Sequence, residues 1–309
     1  MIASVRLDSS RIALSHPIVP VRAHFTRSHT EGMRELTLVQ RNLLDGWLDD
    51  WEVLADLSWP LQDTAVLDVR SGGRRYIVKA SRASHHIARE IDAHDQFLRR
   101  FSVWVPQLAH SSRDELILVT HYLPGELVEG TDAEVDPEIY RQAGCRLKQL
   151  LLPGPLSEHY IQRLVTDARL SISRARLLVP EVQLTELEAR LVSVSIRPVA
   201  LSFTHGDYQP RNWLVNDGQL RVIDFGRADQ RHWTSELVRL ANQQFAGRPH
   251  LECAFLEGLD RPMTAQDSEI YRLECIQQAL GTVVWANSIN DSAFEDHGRS
   301  MVRAVLTGG

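Results

Sequence analysis

The chain has 309 residues, of which 43% are hydrophobic and 24% charged, as in a globular protein large enough for two lobes. Acidic residues outnumber lysine and arginine by 40 to 34, which argues against a basic surface for nucleic acid. No apolar run approaches the roughly 20 residues that span a membrane. The three cysteines are widely spaced and show no metal-ligand pattern. We therefore expect a cytoplasmic protein that binds neither nucleic acid nor membrane.

The first part of the chain alternates between helix and strand patterns. Residues 16–34 carry scattered prolines and polar groups and are expected to form an irregular arm. Gly72-Gly73 marks a hairpin turn, and Pro124-Gly125 marks a second turn. The elements predicted between these signals are an amphipathic helix over 33–48, a strand over 74–80, a helix over 89–98 and a buried strand over 115–120.

The second part is predicted to be mainly helical from Asp136 onward, with apolar residues at helical spacing. A strand–loop–strand unit interrupts the helices. Its strands are predicted over 201–204, 213–215 and 220–223, with a strong turn signal at 216–218. The last two strands form a hairpin, and this hairpin would bring Asn212 close to Asp224.

The loops around this hairpin carry the residues that point to chemistry. Asp207 is followed five residues later by Asn212, and twelve residues after that by Asp224 in the tripeptide Asp-Phe-Gly. A carboxylate that orients a hydroxyl, with an amide and a second carboxylate as Mg²⁺ ligands, is the set that phosphoryl transfer needs. We expect Asp207 to be the catalytic residue and Asn212 and Asp224 to hold Mg²⁺. Taken alone, the tripeptide His205-Gly206-Asp207 or Asp224-Phe225-Gly226 is also typical of an ordinary turn.

At these residues the chain resembles the aminoglycoside phosphotransferase family, a branch of the protein-kinase-like fold. That family has His-Gly-Asp with an Asn five residues after the Asp, as in His205 to Asn212, where protein kinases have His-Arg-Asp. The resemblance covers about residues 50–305 and implies an α+β, bilobal fold with a small β-rich N-lobe and a larger, mostly helical C-lobe. It implies a nucleotide-binding N-lobe over 50–123 and a C-lobe over 124–309, and the residue pattern adds an N-terminal arm and helix over 1–49.

The resemblance also implies residues that bind ATP, or GTP in its place. Lys79, near the end of the strand over 74–80, would pair with the α and β phosphates. Glu90, eleven residues later on the following helix, would be the ion-pair partner of Lys79. The hinge between the lobes would hydrogen-bond the adenine edge through backbone groups at Thr120, His121, Tyr122 and Leu123.

Three further positions bear on this resemblance. The loop over 57–64 contains no glycine, and Pro60 removes one backbone N–H donor. The sequence therefore does not indicate how this loop would cover the β and γ phosphates. Glu236, on a helix predicted over 228–240, stands where the family usually has an Asp that braces the catalytic loop. Helix capping by Thr234 or Ser235 explains that segment equally well. His205 is expected to hold the loop by hydrogen bonding.

The acceptor implied is a small molecule with a hydroxyl, such as an aminoglycoside or another antibiotic, bound between the catalytic loop and the C-terminal helices. Carboxylates that would match ammonium groups occur there at Glu252, Glu257, Asp291, Glu295 and Asp296. Aromatic residues that suit an apolar or sugar-ring acceptor such as a macrolide, or that form core, occur at Phe245, Phe255, Trp285 and Phe294. The acceptor stays open on this basis.

Two alternatives remain. A kinase of a metabolite or macromolecule is one. A protein or other macromolecular kinase is disfavoured by Gly206 and by the thirteen-residue interval from Gly226 to Arg239, which leaves no room for a long activation segment. A nucleotide-binding pseudokinase is the other, and the glycine-free loop favours it. Against a pseudokinase, every residue that would perform the chemistry is present.

Overall fold

The computed structural model describes residues 35–59 and 63–307. Its helices are α1 (Leu38–Trp47), α2 (His85–Gln96), α3 (Pro137–Leu150), α4 (Tyr160–Ala175), α5 (Glu181–Val192), α6 (Leu237–Asn242), α7 (Pro249–Leu259), α8 (Ala265–Ser288) and α9 (Ser292–Thr307). Its strands are β1 (Glu52–Asp56), β2 (Thr64–Ser71), β3 (Arg74–Ser81), β4 (Leu108–Ser112), β5 (Ile117–His121), β6 (Glu126–Leu127), β7 (Pro153–Ser157), β8 (Val199–Thr204), β9 (Trp213–Asn216), β10 (Gln219–Val222) and β11 (Asp229–Arg231).

The N-terminal lobe is built on a five-stranded antiparallel sheet in the order β1-β2-β3-β5-β4. Gly72 and Gly73 both have positive φ and close the β2–β3 hairpin, as predicted. The predicted strand over 115–120 is β5, at the interior of the sheet between β3 and β4. Its residues 117–119 are fully buried, which explains why they read as a continuous apolar run.

Helix α1 packs against this sheet, as the amphipathic pattern predicted. Leu44 and Leu48 join one apolar cluster with residues of β2, β3 and β5. The predicted start at residue 33 was wrong, because Thr37 is the N-cap: its side chain accepts from the Gln40 N–H, and the Gln40 side chain accepts from the Thr37 N–H. The predicted arm over 16–34 lies outside the described residues.

Helix α2 lies where a helix was predicted, but its bounds differ from 89–98. Ser84 accepts a hydrogen bond from the His86 N–H and caps the helix, which therefore begins at His85. The helix ends at Gln96, and Leu98 opens a short 3-10 turn instead. The earlier start adds a turn of helix beside the Asp-Phe-Gly segment, since the His86 ring contacts the Gly226 carbonyl oxygen at 2.8 Å.

The C-terminal lobe has two apolar cores. One joins α3 and α7 to the catalytic loop and its hairpin, and the other joins α4, α5, α8 and α9. The lobe also contains two small sheets, β10-β9-β6 and β11-β8-β7. The predicted hairpin is present as β9–β10, with the turn at 217–218. Strand β7 was not predicted, since Pro153-Gly-Pro reads as a loop signal rather than an edge strand.

The segment over 228–240 was wrongly predicted as one helix. It contains strand β11, a 3-10 turn over Trp233–Glu236 and only then α6. Pairing of Asp229 with Thr204 draws the start of the segment into a sheet, and this overrides its helical pattern. The α+β bilobal fold expected from the sequence is confirmed, whereas the domain boundaries 1–49, 50–123 and 124–309 stay a prediction. Within the described ranges, no helix is both long and apolar enough to cross a membrane.

Candidate active site

The catalytic loop is held in place by the buried His205 side chain. Its Nδ1 accepts a hydrogen bond from the Asp207 N–H at 3.2 Å, and its Nε2 contacts the Ile223 carbonyl oxygen at 3.0 Å. The first contact fixes the backbone of the loop, and the second ties the loop to the strand that leads to Asp224. The Ile223 N–H also donates to the Asn212 carbonyl oxygen at 3.0 Å, so the hairpin brings Asn212 and Asp224 together as predicted.

Gly206 occupies a position where only glycine fits. Its φ is +78°, and a Cβ at this position would lie 2.2 Å from the Arg227 carbonyl oxygen. The Gly206 N–H donates to Glu236 Oε1 at 2.8 Å. Glu236 therefore braces the loop, from a 3-10 turn and not from the helix expected. Thr234 and Ser235 do not cap that turn, since their hydroxyls bond to Glu274 and to the His232 carbonyl oxygen.

The Asp207 carboxylate is surrounded by hydrogen-bond donors. Its Oδ1 accepts from Gln209 Nε2 at 2.5 Å and from Arg239 Nη1 at 2.6 Å. Its Oδ2 accepts from Arg211 Nη2 at 2.7 Å and from Asn212 Nδ2 at 3.1 Å. Burial disfavours the charged form of Asp207, but the two guanidinium groups outweigh burial and hold its pKa below the ordinary value. Asp207 is therefore an ionised acceptor at neutral pH.

Sequence reasoning missed Arg211 and Arg239. Arg211 lies in the catalytic loop itself, four residues after Asp207 and directly before Asn212. This position between two predicted site residues could have indicated a role in the site. Arg239 comes from α6, 32 residues after Asp207, and nothing in the chain order indicates that contact. Both arginines are site residues in the sense that they touch the carboxylate expected to accept a proton.

Lys79 connects the two lobes. Its Nζ lies 2.8 Å from Glu90 Oε2 and 2.9 Å from Asp224 Oδ1. Burial lowers the pKa of Lys79, but the two carboxylates outweigh burial and leave it above the ordinary value. Burial raises the pKa of Glu90, against the opposing effect of Lys79. The structure thus brings together Lys79 and Glu90 from the N-lobe and Asp224 from the C-lobe.

Asn212 and Asp224 present oxygen atoms that suit a hard cation. Asn212 is buried, and its Nδ2 donates to both the Asp207 carbonyl oxygen and Asp207 Oδ2, which leaves Oδ1 as the free end of the amide. Loss of hydration would raise the pKa of Asp224, but Lys79 holds it at about 2. Its side chain is half exposed. In the described ranges no three His, Cys, Asp or Glu residues form a metal-binding group, which argues against zinc but fits the few protein ligands that Mg²⁺ takes.

The four hinge positions differ in what their backbone can offer a nucleotide. Thr120 and His121 end β5, and the His121 N–H donates to the Gln107 carbonyl oxygen. The Tyr122 N–H donates to the Arg75 carbonyl oxygen at 3.0 Å, and the Arg75 guanidinium stacks on the Tyr122 ring. The Leu123 N–H makes no hydrogen bond to any residue that the structure describes. Leu123 is therefore the hinge position with a free backbone donor.

The carboxylates and aromatic residues considered for an acceptor pocket occupy varied places. Glu295 bonds to Arg299 and Asn287, and Asp291 accepts from the Phe294 N–H at the start of α9. Phe245 and Phe255 are buried core residues. Trp285 is half exposed and makes an edge contact with Phe294. Glu295 and Asp291 thus form hydrogen bonds within the α8–α9 pair, and Phe245 and Phe255 belong to the core.

Residues 59–267 match the phosphotransferase enzyme family, APH, over more than half of the chain. The chain belongs to this family. No curated protein gives a significant match to the sequence.

Solved structures share the fold of this phosphotransferase. The macrolide 2'-phosphotransferase MphH from Brachybacterium faecium is 18% identical, with a TM-score of 0.57, and the match covers 84% of this chain and 95% of that one. Aminoglycoside phosphotransferase APH(4)-Ia is 13% identical, with a TM-score of 0.61 and coverage of 88% and 98%. A GDP and kanamycin complex of an APH(2") enzyme is 13% identical, with a TM-score of 0.62 and coverage of 88% and 99%. At these identities the likeness shows the fold alone.

Proposed function

We propose that this phosphotransferase moves the γ-phosphate of ATP or GTP to a hydroxyl group of a small molecule. The observation that carries the proposal is the contact of Lys79 with both Glu90 and Asp224, at 2.8 and 2.9 Å. It joins the lysine proposed to bind the nucleotide, on one lobe, to the carboxylate proposed to bind the metal, on the other. This is the arrangement that a kinase needs before chemistry can begin.

The nucleotide is proposed to bind between the lobes. Lys79, oriented by Glu90, pairs with the α and β phosphates. The backbone over 120–123 receives the base, with the Leu123 N–H as the donor. The contact between Arg75 and Tyr122 stiffens this hinge, because a guanidinium stacked on an aromatic ring restricts both side chains.

Magnesium is the metal that the residues present would suit. Asn212 would offer Oδ1, and Asp224 would offer the carboxylate oxygen that Lys79 does not contact. When bound, the ion neutralises charge on the phosphate oxygens and orients them. Aspartate with a pKa near 2 stays ionised and able to bind a cation across the physiological range.

Asp207 is proposed to orient the acceptor hydroxyl and take its proton. The acceptor oxygen forms a bond to the γ phosphorus, and the bond from that phosphorus to the β–γ bridging oxygen breaks. The bridging oxygen keeps the electron pair and leaves as part of ADP or GDP. Because the transition state of phosphoryl transfer is loose, the rate enhancement comes mainly from positioning of the reactants and from charges around the phosphate. A base held in a fixed position is therefore enough to assist the reaction.

The acceptor class is proposed by analogy with the structural neighbours. Solved structures of similar fold include complexes with ADP and hygromycin B, with GDP and kanamycin, and with ADP and spectinomycin. These antibiotics carry several hydroxyl groups, and we propose an acceptor of this kind. The cysteines at 145, 253 and 275 are all free, which agrees with a reaction in the reducing cytoplasm.

Release of ADP from Mg²⁺-ATP across a panel of acceptors tests the proposal. The panel should span aminoglycosides, macrolides, other hydroxyl-bearing antibiotics, amino alcohols and sugars. We expect release that depends on one acceptor class and that disappears in Asp207→Asn, while nucleotide affinity in that variant is retained. Equal turnover by Asp207→Asn would remove Asp207 from the mechanism.

A nucleotide-binding pseudokinase is the second candidate, and the glycine-free loop favours it. The N–H of Leu57 bonds to the Val66 carbonyl oxygen and the N–H of Ser58 bonds to Asp56, so neither is available to a phosphate. Nucleotide binding without turnover of any acceptor would support this candidate. A thermal shift with nucleotide alone does not separate the two.

A further inference from the structure

The Asp207 carboxylate cannot receive an acceptor hydroxyl in the arrangement described. Each of its oxygens already accepts two hydrogen bonds, from Gln209 and Arg239 on one and from Arg211 and Asn212 on the other. A carboxylate oxygen has about two lone-pair sites. One donor must therefore leave before a substrate hydroxyl can donate to Asp207.

Arg211 is the donor best placed to leave. Gln209 and Asn212 are buried, and Asn212 is also fixed by its bond to the Asp207 carbonyl oxygen. The side chain of Arg211 is 36% exposed against 25% for Arg239. Its bond to Asp207 Oδ2 is the one hydrogen bond that its guanidinium makes with the described residues. Four of the five N–H donors of Arg211 are thus free for another anion.

Three arginines lie close together on this side of the site. Burial lowers the pKa of Arg239 and Asp207 opposes this, while Arg227 and Arg211 lower the pKa further, so the three guanidinium groups are within electrostatic range of one another. The Arg227 guanidinium makes no hydrogen bond or ion pair with any described residue. Asp207, Glu236 and Glu129 also face these groups. The Arg227 charge, however, has no bonded partner in the described part of the chain and the guanidinium groups repel one another, which favours movement of Arg211 toward a further anion.

Lys79, Leu57 and Ser58, the groups of the small lobe considered for binding phosphate, already have partners within the protein. Lys79 faces two carboxylates, Glu90 and Asp224. The loop over 57–64 contains no glycine, and the N–H groups of Leu57 and Ser58 are bonded within the lobe. A γ-phosphate would therefore need donors from elsewhere. A guanidinium fork is the side chain best matched to phosphate oxygens.

We propose that Arg211 binds the γ-phosphate of the nucleotide and, in moving to it, releases one oxygen of Asp207 for the acceptor hydroxyl. This rests on the proposed function. In the absence of the terminal phosphate, Arg211 remains on Asp207 and the base is covered. When a nucleoside triphosphate binds, Arg211 exchanges the Asp207 carboxylate for the γ-phosphate. Asp207 therefore becomes available only when there is a phosphate to transfer.

The test compares the affinity of the full chain for Mg²⁺-ADP with its affinity for a Mg²⁺ complex of a non-hydrolysable ATP analogue, by calorimetry. We expect the wild-type chain to bind the analogue more tightly than ADP. Arg211→Met should reduce that preference by about tenfold or more, the effect of losing a charge-assisted hydrogen bond, while ADP affinity is unchanged. Arg211→Lys, which keeps the charge but not the fork, should retain part of the preference.

Arg99→Met is the matched control, since Arg99 forms an exposed ion pair with Asp95 on the surface of the small lobe. It should leave both affinities unchanged. Equal preference for the analogue in wild type and Arg211→Met, at equal melting temperatures, would overturn the role of Arg211 while leaving the proposed function intact. A wild-type chain that binds neither nucleotide would overturn both.

Discussion

The Gly206 N–H and Glu236 Oε1 are joined by a 2.8 Å hydrogen bond across 30 residues of chain. This bond fixes the backbone immediately before Asp207 from the far side of the loop. A side chain that nowhere contacts the Asp207 carboxylate thus helps to set its position. Glu236 makes this bond from a 3-10 turn and not from a regular helix.

Replacement of Glu236 by Ala should destabilise the chain by about 1–3 kcal/mol, because the Gly206 N–H loses its acceptor in a buried place. Glu236→Gln keeps an oxygen that can accept this bond and should cost much less. Urea unfolding of the two variants measures the difference. A Gln variant as unstable as the Ala variant would show that the charge of Glu236, and not its hydrogen bond, supports the loop.

Gly206→Ala should be far more damaging than Gly218→Ala. Both glycines have positive φ, at +78° and +70°, so both variants carry backbone strain of about 1–2 kcal/mol. At Gly206 a Cβ would also lie 2.2 Å from the Arg227 carbonyl oxygen, whereas at Gly218 it meets nothing within 4 Å. Thermal unfolding should show a larger loss for Gly206→Ala, with phosphotransfer lost as well. Equal losses would mean that the loop can shift to make room.

Lys79 and Glu90 should respond unequally to substitution. Lys79→Met leaves Glu90 buried without its cation, at a cost of about 3–5 kcal/mol that protonation of Glu90 can reduce. Glu90→Gln leaves Lys79 with Asp224 as a partner and should cost less. The free energies of unfolding in urea at neutral pH give the comparison. A Glu90→Gln variant less stable than Lys79→Met would contradict the view that Asp224 compensates Lys79.

Glu274 should make stability depend on pH in a defined direction. It is buried on α8, where the hydroxyls of Tyr160 and Thr234 each donate to it at 2.7 Å, and burial raises its pKa from 4.5 to about 8. The folded chain therefore holds a proton that the unfolded chain has released between these values. This contribution to stability is complete below about pH 4.5 and is lost as the pH rises through 8, at about 1.4 kcal/mol per pH unit.

Glu274→Gln isolates this effect, because glutamine is neutral and keeps polar atoms for both hydroxyls. The difference in unfolding free energy between the variant and the wild type should move in favour of the variant as the pH rises from 5 to 9. The measurement is denaturant unfolding at several pH values. Parallel pH profiles for the two chains would show that Glu274 does not titrate in this range.

The central part of the site was predictable because its residues follow one another in a regular frame. The hairpin signal at 216–218 places Asn212 beside Asp224, a local relationship that is fixed by turn chemistry. The pairing of Lys79 with Glu90 was expected from the family resemblance, and the structure contains it. The metal and nucleotide roles of these residues stay predictions.

The features that could not be predicted from the sequence depend on tertiary contacts. Arg239 reaches Asp207 only because α6 packs beside the catalytic loop, and the order of residues does not reveal that. The wrong helix over 228–240 has the same origin, since β11 forms by pairing with β8. The starts of α1 and α2 were wrong for a different reason, since Thr37 and Ser84 are ordinary N-cap residues whose signal was present and not used.

Transfer of label from γ-radiolabelled ATP to an acceptor tests the central claim most directly. The account predicts that the wild-type chain, with Mg²⁺, labels a hydroxyl-bearing small molecule of the panel, and that Asp207→Asn binds the nucleotide but transfers no label. Label that enters an acceptor at equal rates with both chains, or nucleotide binding with no transfer to any acceptor, would contradict it.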